Sequence, residues 1–208
     1  MRTCVTTNRL WSSLCQNVKL EKPVPLNCLT KHSPFALFAG FALLTAAAGA
    51  PALAADPDLK TPSPVIYLAD NLDEKDNLGW CIDTVGRGLS DRLHAHSCKP
   101  RGGDVQFKFD AQTGQIQSAT FDGLCAELLE TAANGVKLGL LDCKDSALQA
   151  FTFDAAAGEF KPKTDAELCL IVAASSRSAG PFMSRDLQLG ECAQTEPKFK
   201  RWVIKTGG

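Results

Sequence analysis

Two histidines separated by a single residue, His94 and His96, have the types and spacing that could do chemistry in this sequence. Leu93 and Ala95 alternate with them, so a β-strand here would place both imidazoles on one face and the apolar side chains on the other. We expect Asp83 to lie near that face. Two imidazoles and a carboxylate are familiar ligands of divalent metals, and an imidazole beside a carboxylate can also exchange protons.

Neither metal binding nor catalysis has all the groups that it needs in this sequence. An open surface strand supplies only two or three ligands, which gives a weak metal site, so we expect no bound metal. No nucleophile stands at a suggestive position beside Asp83 and the histidines, and the sequence has neither a Gly-x-Ser-x-Gly motif nor a glycine-rich phosphate loop. We therefore expect a binding protein without a cofactor, not an enzyme.

The first part of the chain has the pattern of an export signal. Residues 34–49 form an apolar run that follows Lys31 and His32 and precedes Ala52-Leu53-Ala54, the small-residue pattern of a cleavage site. The run is shorter than the ~20 residues that span a bilayer. We expect a secreted or periplasmic protein. Residues 1–33 are expected to be an N-terminal extension from a misassigned start, and residues 34–55 the signal core and cleavage region. Residues 56–64 are expected to be a linker, and residues 65–208 the folded domain.

Cleavage at Ala54 or Ala55 changes the cysteine count and the charge that indicate the class of protein. The leader carries 5 of the 22 Lys and Arg residues and 1 of the 23 Asp and Glu residues, which leaves 17 against 22 and a formal net charge of −5. A mildly acidic chain has no electrostatic footprint for nucleic acid or an anionic membrane, and we expect no integral membrane segment in it. An even number of cysteines in an exported chain indicates disulfides, and six remain: Cys81, Cys98, Cys125, Cys143, Cys169 and Cys192.

These cysteines mark an internal repeat. Cys81, Cys125 and Cys169 are 44 and 44 residues apart, and a second cysteine follows each of them after 17, 18 and 23 residues. Apolar positions share the period, namely Trp80, Leu124 and Leu168, and also Leu72, Ile116 and Phe160. Six cysteines allow many connectivities, and the repeat symmetry favours one disulfide inside each repeat: Cys81 with Cys98, Cys125 with Cys143, and Cys169 with Cys192.

The segments between the cysteines have the pattern of short β-strands. Stretches such as VQFKFD and VKLGLLDC alternate apolar and polar residues and are bounded by Gly, Asn and Asp. No window after residue 65 is long enough for a convincing amphipathic helix. Three all-β units, each too small to bury its own core, must share one. We therefore predict an all-β fold, a β-trefoil of three ~44-residue repeats with one disulfide per repeat.

The repeats resemble those of the ricin B-type lectin family, whose repeat contains a Cys-x-Asp element, a strand that ends in cysteine and then a Gln-x-Trp element. The resemblance covers about residues 65 to 206 and implies a β-trefoil that binds carbohydrate. The aromatic residue that ends the Gln-x-Trp element of each repeat is interpreted as part of the core, because large rings dominate core burial. The matching elements are Cys81-Ile-Asp83 and Gln106-Phe107, Cys125-Ala-Glu127 and Gln149-Ala-Phe151, and Cys169-Leu-Ile171 and Lys200-Arg-Trp202.

The resemblance also implies where a sugar would bind. In the family, a carboxylate two residues after the first cysteine accepts sugar hydroxyls, a ring two residues before the second cysteine stacks on the sugar, and polar groups near the Gln-x-Trp element add hydrogen bonds. The second repeat keeps Glu127 but has Leu141 at the ring position, and the third has Ile171 for the carboxylate. We expect one site, for a terminal galactose-like hexose, in the first repeat: Asp83, His94, His96, Asp104 and Gln106.

Two other interpretations of the same chain stay open. The polar residues of the first repeat could be a binding site that has decayed. Alternatively, the trefoil binds a protein, as an accessory subunit or an inhibitor-like module, and the insertion at residues 174–185 favours this because it would expose Phe182 and Met183 on a flexible loop. If the histidines contact a ligand, binding should depend on pH, because imidazole titrates near pH 6.5.

Overall fold

The structure is a computed structural model that describes residues 55–72, 75–88 and 90–207. The expected extension at 1–33 and nearly all of the expected signal segment at 34–55 lie outside the described residues. Within them, no helix is long and apolar enough to cross a membrane. Their regular structure consists of twelve β-strands and two short 3₁₀ turns, Ala147–Gln149 and Pro197–Phe199.

Four strands come from each repeat. The first repeat contributes β1 to β4, which are Val65–Leu68, Trp80–Thr84, Leu93–Ser97 and Phe107–Asp110. The second contributes β5 to β8, which are Gln115–Ser118, Leu124–Leu128, Leu138–Asp142 and Phe151–Asp154. The third contributes β9 to β12, which are Glu159–Pro162, Leu168–Ala179, Phe182–Glu191 and Trp202–Lys205.

The strands pair in the pattern of a β-trefoil. Inside each repeat, the second and third strands form an antiparallel hairpin: β2 with β3, β6 with β7, and β10 with β11. The last strand of each repeat pairs with the first strand of the next, β4 with β5 and β8 with β9, and β12 closes the ring on β1. The prediction of an all-β fold built from three equivalent units is confirmed.

The three repeats share one hydrophobic core. The ring that begins the last strand of each repeat is buried, with Phe107, Phe151 and Trp202 exposed by only 0%, 1% and 2%. Trp202 Nε1 donates a hydrogen bond to the Leu170 carbonyl at 2.8 Å, which satisfies the polar atom of the buried indole. The interpretation of these rings as core residues is therefore confirmed.

Each repeat is closed by its own disulfide, as the repeat symmetry predicted. The bridge joins the second strand of the repeat to the residue that follows its third strand, with Cα atoms 4.9 to 5.1 Å apart. A bridge of this loop length stabilises the folded chain by about 3 kcal/mol. The three pairs are Cys81–Cys98, Cys125–Cys143 and Cys169–Cys192.

The first repeat departs from the 44-residue period before its first cysteine. The connection from β1 to β2 spans residues 69–79, whereas the equivalent connections span only 119–123 and 163–167. The buried residue of β1 that corresponds to Ile116 and Phe160 is therefore Ile66, and Leu72 lies in the longer connection. The predicted equivalence of Leu72 to these two residues is wrong for that reason.

The segment at 56–64 lies against the first repeat. The Asp58 amide donates to the Asn77 carbonyl at 2.8 Å. Thr61 is 1% exposed, and its hydroxyl donates to the Lys99 carbonyl at 3.0 Å. The segment expected as a linker thus fixes the backbone that follows the second cysteine of this repeat.

The insertion at 174–185 continues the β10–β11 hairpin. Its strands pair from Ser176 with Arg185 to Ala179 with Phe182, and the hairpin turns at Gly180 and Pro181. The expectation of a flexible loop is wrong here, because the ladder satisfies the backbone groups of the inserted residues. β11 also pairs with β3, so the hairpin of the third repeat lies beside the histidine strand of the first.

Candidate functional site

The β2–β3 hairpin brings Asp83 and the two histidines together. In its register, Asp83 lies opposite His94 and Cys81 lies opposite His96. Leu93 and Ala95 are buried in the core, as the alternation predicted, and both histidine side chains lie on the other face. The imidazole centroids are 5.3 Å apart.

The Asp83 carboxylate is fully buried and already has partners. Oδ1 accepts a hydrogen bond from the Thr84 amide at 2.7 Å. Oδ2 lies 2.8 Å from Lys99 Nζ, 3.5 Å from His94 Nε2 and 3.6 Å from His96 Nδ1. Burial raises the pKa of Asp83, but the contacts with His94 and Lys99 lower it by more, so the pKa lies below its usual 3.8. The carboxylate is therefore ionised and organises three cationic or potentially cationic groups.

Lys99 is a residue of this site that the sequence interpretation missed. Its ammonium lies 2.8 Å from Asp83 Oδ2 and also 2.8 Å from Asp104 Oδ2, so one cation bridges two carboxylates. The ammonium stands where a metal ion would have to contact Asp83, and this disfavours the metal interpretation. A signal existed in the repeat: Lys144 follows the second cysteine of the next repeat in the same way, and it lies 3.1 Å from Glu127 Oε2.

His96 is the more buried of the two histidines. Its Nδ1 donates to the Ser97 carbonyl at 2.9 Å, and the exposed fraction of its side chain is 6%. Burial lowers the pKa of His96 below its usual 6.5, against the opposing effect of the Ser97 carbonyl and the Asp83 carboxylate. His96 is therefore neutral at pH 7, and its ring is available for packing.

The third repeat supplies an aromatic ring to this site. Ser184 lies opposite His96 where β11 pairs with β3. Phe182 then packs edge-on against the His96 imidazole, with centroids 5.5 Å apart. The Met183 amide donates to Ser97 Oγ at 3.0 Å, and this hydroxyl donates in turn to the Asp76 carboxylate. Phe182 and Met183 are half-buried, so they are not the exposed loop tip that favoured a protein partner.

These groups surround a cavity of about 780 Å³. Four of the five residues predicted from the sequence line it, namely Asp83, His94, His96 and Asp104. The turn of the third-repeat hairpin, residues 179–182, forms another wall. The lining also includes three cationic residues, Lys99, Arg87 and Arg101. The volume lies within the range of about 300–1,000 Å³ that is usual for small-molecule sites.

Gln106 does not join the other four. Its amide nitrogen donates to the carbonyls of Pro62 and Ser63 at 3.3 and 3.2 Å, and its amide oxygen accepts from the Gly103 amide at 2.9 Å. The position two residues before the buried ring belongs to Val105, which is fully buried. In this repeat the glutamine stands one residue later than the motif requires, so its side chain has turned to the N-terminal segment.

In the second repeat, the carboxylate of Glu127 is already held by other side chains. Glu127 lies opposite Gly139, as Asp83 lies opposite His94. A Cβ atom on Gly139 would come within 2.7 Å of the Asp91 carbonyl, so no side chain fits there. The Gln149 amide donates to Glu127 Oε2 at 2.7 Å and occupies the carboxylate instead.

The third repeat has neither the carboxylate nor the ring. Ile171 stands in the carboxylate position, opposite Gln188. A Cβ atom on Gly190, which corresponds to His96, would lie 2.4 Å from Ile171 Cδ1. The isoleucine fills the space that a ring would need. Of the three repeats, the first is the one in which the structure combines a carboxylate, imidazoles and an open cavity.

Comparison with known proteins finds similar solved structures but no matching family. No protein-family model and no curated protein matches the sequence. Among solved structures, the mdaA-1 domain has a TM-score of 0.50 at 18% identity, covering 74% of this chain and 98% of that domain. The β-trefoil lectin of the Vibrio vulnificus hemolysin/cytolysin, with N-acetyl-D-lactosamine bound, has a TM-score of 0.46 at 13% identity, covering 69% and 93%.

The C-half of an earthworm R-type lectin, in complex with GalNAc, has a TM-score of 0.47 at 15% identity, covering 69% of this chain and 98% of that one. Identities this low show the fold alone. The β-trefoil assignment rests on the strand pairing of the chain itself.

Proposed function

We propose that the chain is an exported carbohydrate-binding protein with a single sugar site in the first-repeat cavity. The observation that carries this proposal is the meeting of buried polar groups on β2 and β3 with the Phe182 ring from the third repeat. Sugars present hydroxyl groups around an apolar C–H face, so they are bound by polar groups beside an aromatic ring. The site has both parts.

In the proposed complex each group has a role. Lys99, His94 and Asp104 are partly exposed, with side-chain exposures of 20%, 13% and 11%, and they can exchange hydrogen bonds with sugar hydroxyls. Phe182 packs against the apolar face of the ring. Asp83 is a positioning residue, because its buried carboxylate holds Lys99 and the imidazoles and offers no exposed oxygen.

A terminal galactose-like hexose remains the proposed ligand. N-acetyl-D-lactosamine and GalNAc, which two of the structural neighbours bind, are suitable first probes. Secretion or periplasmic location is part of the same proposal and is supported by the apolar run at residues 34–49 and by the three disulfides. We infer binding and not catalysis, because the two carboxylates of the cavity, Asp83 and Asp104, both contact the Lys99 ammonium, and no serine or cysteine among the described residues lines the cavity.

A glycan array with the disulfide-bonded protein tests this function. The wild-type chain should bind at least one hexose-terminated glycan, and Phe182→Ala should weaken that binding by about three- to tenfold, the usual effect of losing one stacked ring. Phe199→Ala is the matched control, because Phe199 is also half-buried but does not line the cavity. Asp83→Ala should abolish binding by releasing Lys99.

Circular dichroism and thermal unfolding show whether each variant keeps its fold. Failure of the wild-type protein to bind any glycan contradicts the proposal, and recovery of a protein partner by pull-down would then support the alternative. Equal binding by Phe182→Ala and Phe199→Ala would show that the third repeat does not take part in recognition.

A further inference from the structure

The lining of the cavity carries more positive than negative charge. Three permanent cations, Arg87, Lys99 and Arg101, face two carboxylates, Asp83 and Asp104. Both carboxylates contact the Lys99 ammonium at 2.8 Å. The ammonium offsets one of the two negative charges, so the lining keeps a formal net charge of +1, and the two arginines carry its unpaired positive charge.

Neither arginine has an acidic partner in the described part of the chain. Arg87 and Arg101 are exposed, and no carboxylate of a described residue lies within 4 Å of either guanidinium. Arg87 belongs to the turn between β2 and β3, and Arg101 follows Lys99 by two residues, so they reach the cavity from two separate segments. Each has five N–H donors available to a ligand at the opening.

This local charge is opposite to that of the rest of the protein. The chain from Asp56 onward has a formal net charge of −5, as counted above. A concave site with cationic groups concentrates anions from solution, and the low-dielectric walls strengthen the effect. An acidic protein that keeps two unpaired arginines at the edge of one cavity is arranged to receive a negative group there.

We propose that the ligand of this cavity is an anionic sugar, one that carries a carboxylate or a sulfate group. This inference rests on the proposed carbohydrate-binding function and names its substrate class. Arg87 and Arg101 bind the anionic group at the opening, since a guanidinium matches the two oxygens of a carboxylate or sulfate. Lys99, His94 and Phe182 hold the ring of the sugar further in.

Binding to matched glycans tests the inference. Each neutral hexoside is compared with its uronate and with its 6-sulfate, by titration calorimetry at low ionic strength. At least one anionic member should bind about tenfold more tightly than its neutral parent, because two exposed ion pairs contribute roughly two- to fivefold each. The uronate and sulfate series identify which anion is preferred. The preference should decrease as salt is added, because salt screens exposed charges.

Arg87→Gln with Arg101→Gln should remove the preference, so that the anionic sugar binds the double variant no more tightly than its neutral parent does. Arg201→Gln is the matched control, because Arg201 is exposed and does not line the cavity. If the neutral sugar binds as tightly as both anions, or the double variant keeps the preference, the inference is overturned while the proposed function stands. If no sugar of any series binds, both are overturned.

Discussion

Replacing Lys99 by methionine should destabilise the protein by about 2–3 kcal/mol at about pH 8. The Asp83 side chain is 0% exposed, and the change removes the cation that lies 2.8 Å from its Oδ2. Loss of one partner from a buried ion pair costs about 3–5 kcal/mol. We lower that range because Lys99 is 20% exposed and because two imidazoles stay beside the carboxylate. Methionine keeps most of the apolar contacts of the lysine stem.

The stability lost in Lys99→Met should become smaller as the pH falls. Burial lowers the pKa of His96, and the charge of Lys99 lowers it further, while the facing Asp83 raises it. Removing Lys99 therefore raises the pKa of His96 relative to the wild-type protein. The folded variant then takes up a proton at a higher pH than the folded wild-type protein does, so acidification favours the variant in relative terms. We expect a difference of about 1 kcal/mol or less at about pH 5.5.

The loss of stability in Lys99→Met is measured at both pH values by urea unfolding without reductant, with the fluorescence of Trp80 and Trp202 as the signal. In the double variant Asp83→Asn with Lys99→Met the buried charge is absent, so most of the lost stability should return. An NMR titration of His96 reports its pKa in each protein. Three results would refute the reasoning: a loss below about 0.5 kcal/mol at about pH 8, the same loss at both pH values, or no recovery in the double variant.

Three further predictions use the same urea assay. Cys81→Ala with Cys98→Ala should cost about 3 kcal/mol for a bridge across 17 residues, and a cost under about 1 kcal/mol would contradict it. Gln149→Leu should lower the free energy of unfolding by about 3 kcal/mol, because four hydrogen bonds end at the fully buried Gln149 amide. The control Gln106→Leu, at a half-buried glutamine, should lower it by about 1 kcal/mol. Equal losses in the two variants would count against this prediction. The free energy of unfolding should decrease from about pH 7.5 to about pH 5.5, because His96 is protonated near pH 6.5 in the unfolded chain and only at lower pH in the folded chain. If His96→Asn shows the same dependence on pH, other groups cause the decrease.

The fold could be predicted because its evidence in the sequence is local. Cys81 and Cys98 belong to one hairpin, so the disulfide follows from the pairing of neighbouring strands. A fixed period assumes connections of equal length, and this assumption fails between β1 and β2. The 44-residue period therefore selects Leu72, although the equivalent core residue is Ile66. The length of a surface connection is weakly constrained by the core, since added residues cost little free energy.

The site could be predicted only in part, because one of its walls comes from a distant segment. His94 and His96 share a face through the simple alternation of a strand. Phe182 joins them through tertiary pairing of β11 with β3, for which the sequence has no local signal. Lys99 did have a signal, which became meaningful only with the structure: the first two repeats each combine a carboxylate after the first cysteine with a lysine after the second, and the third has neither.

The contact of the long hairpin with β3 makes the three repeats non-interchangeable. Neighbouring repeats touch in a fixed cyclic order, through Arg92 with Gly139, Lys137 with Gln188, and Ser184 with His96. A rearranged gene that encoded the repeats in the order first, third, second would keep the core positions filled. It would also place the long hairpin beside β7 in place of β3, and the cavity would lose its aromatic wall. The order of the modules along the chain, beyond their individual sequences, therefore determines whether the cavity exists.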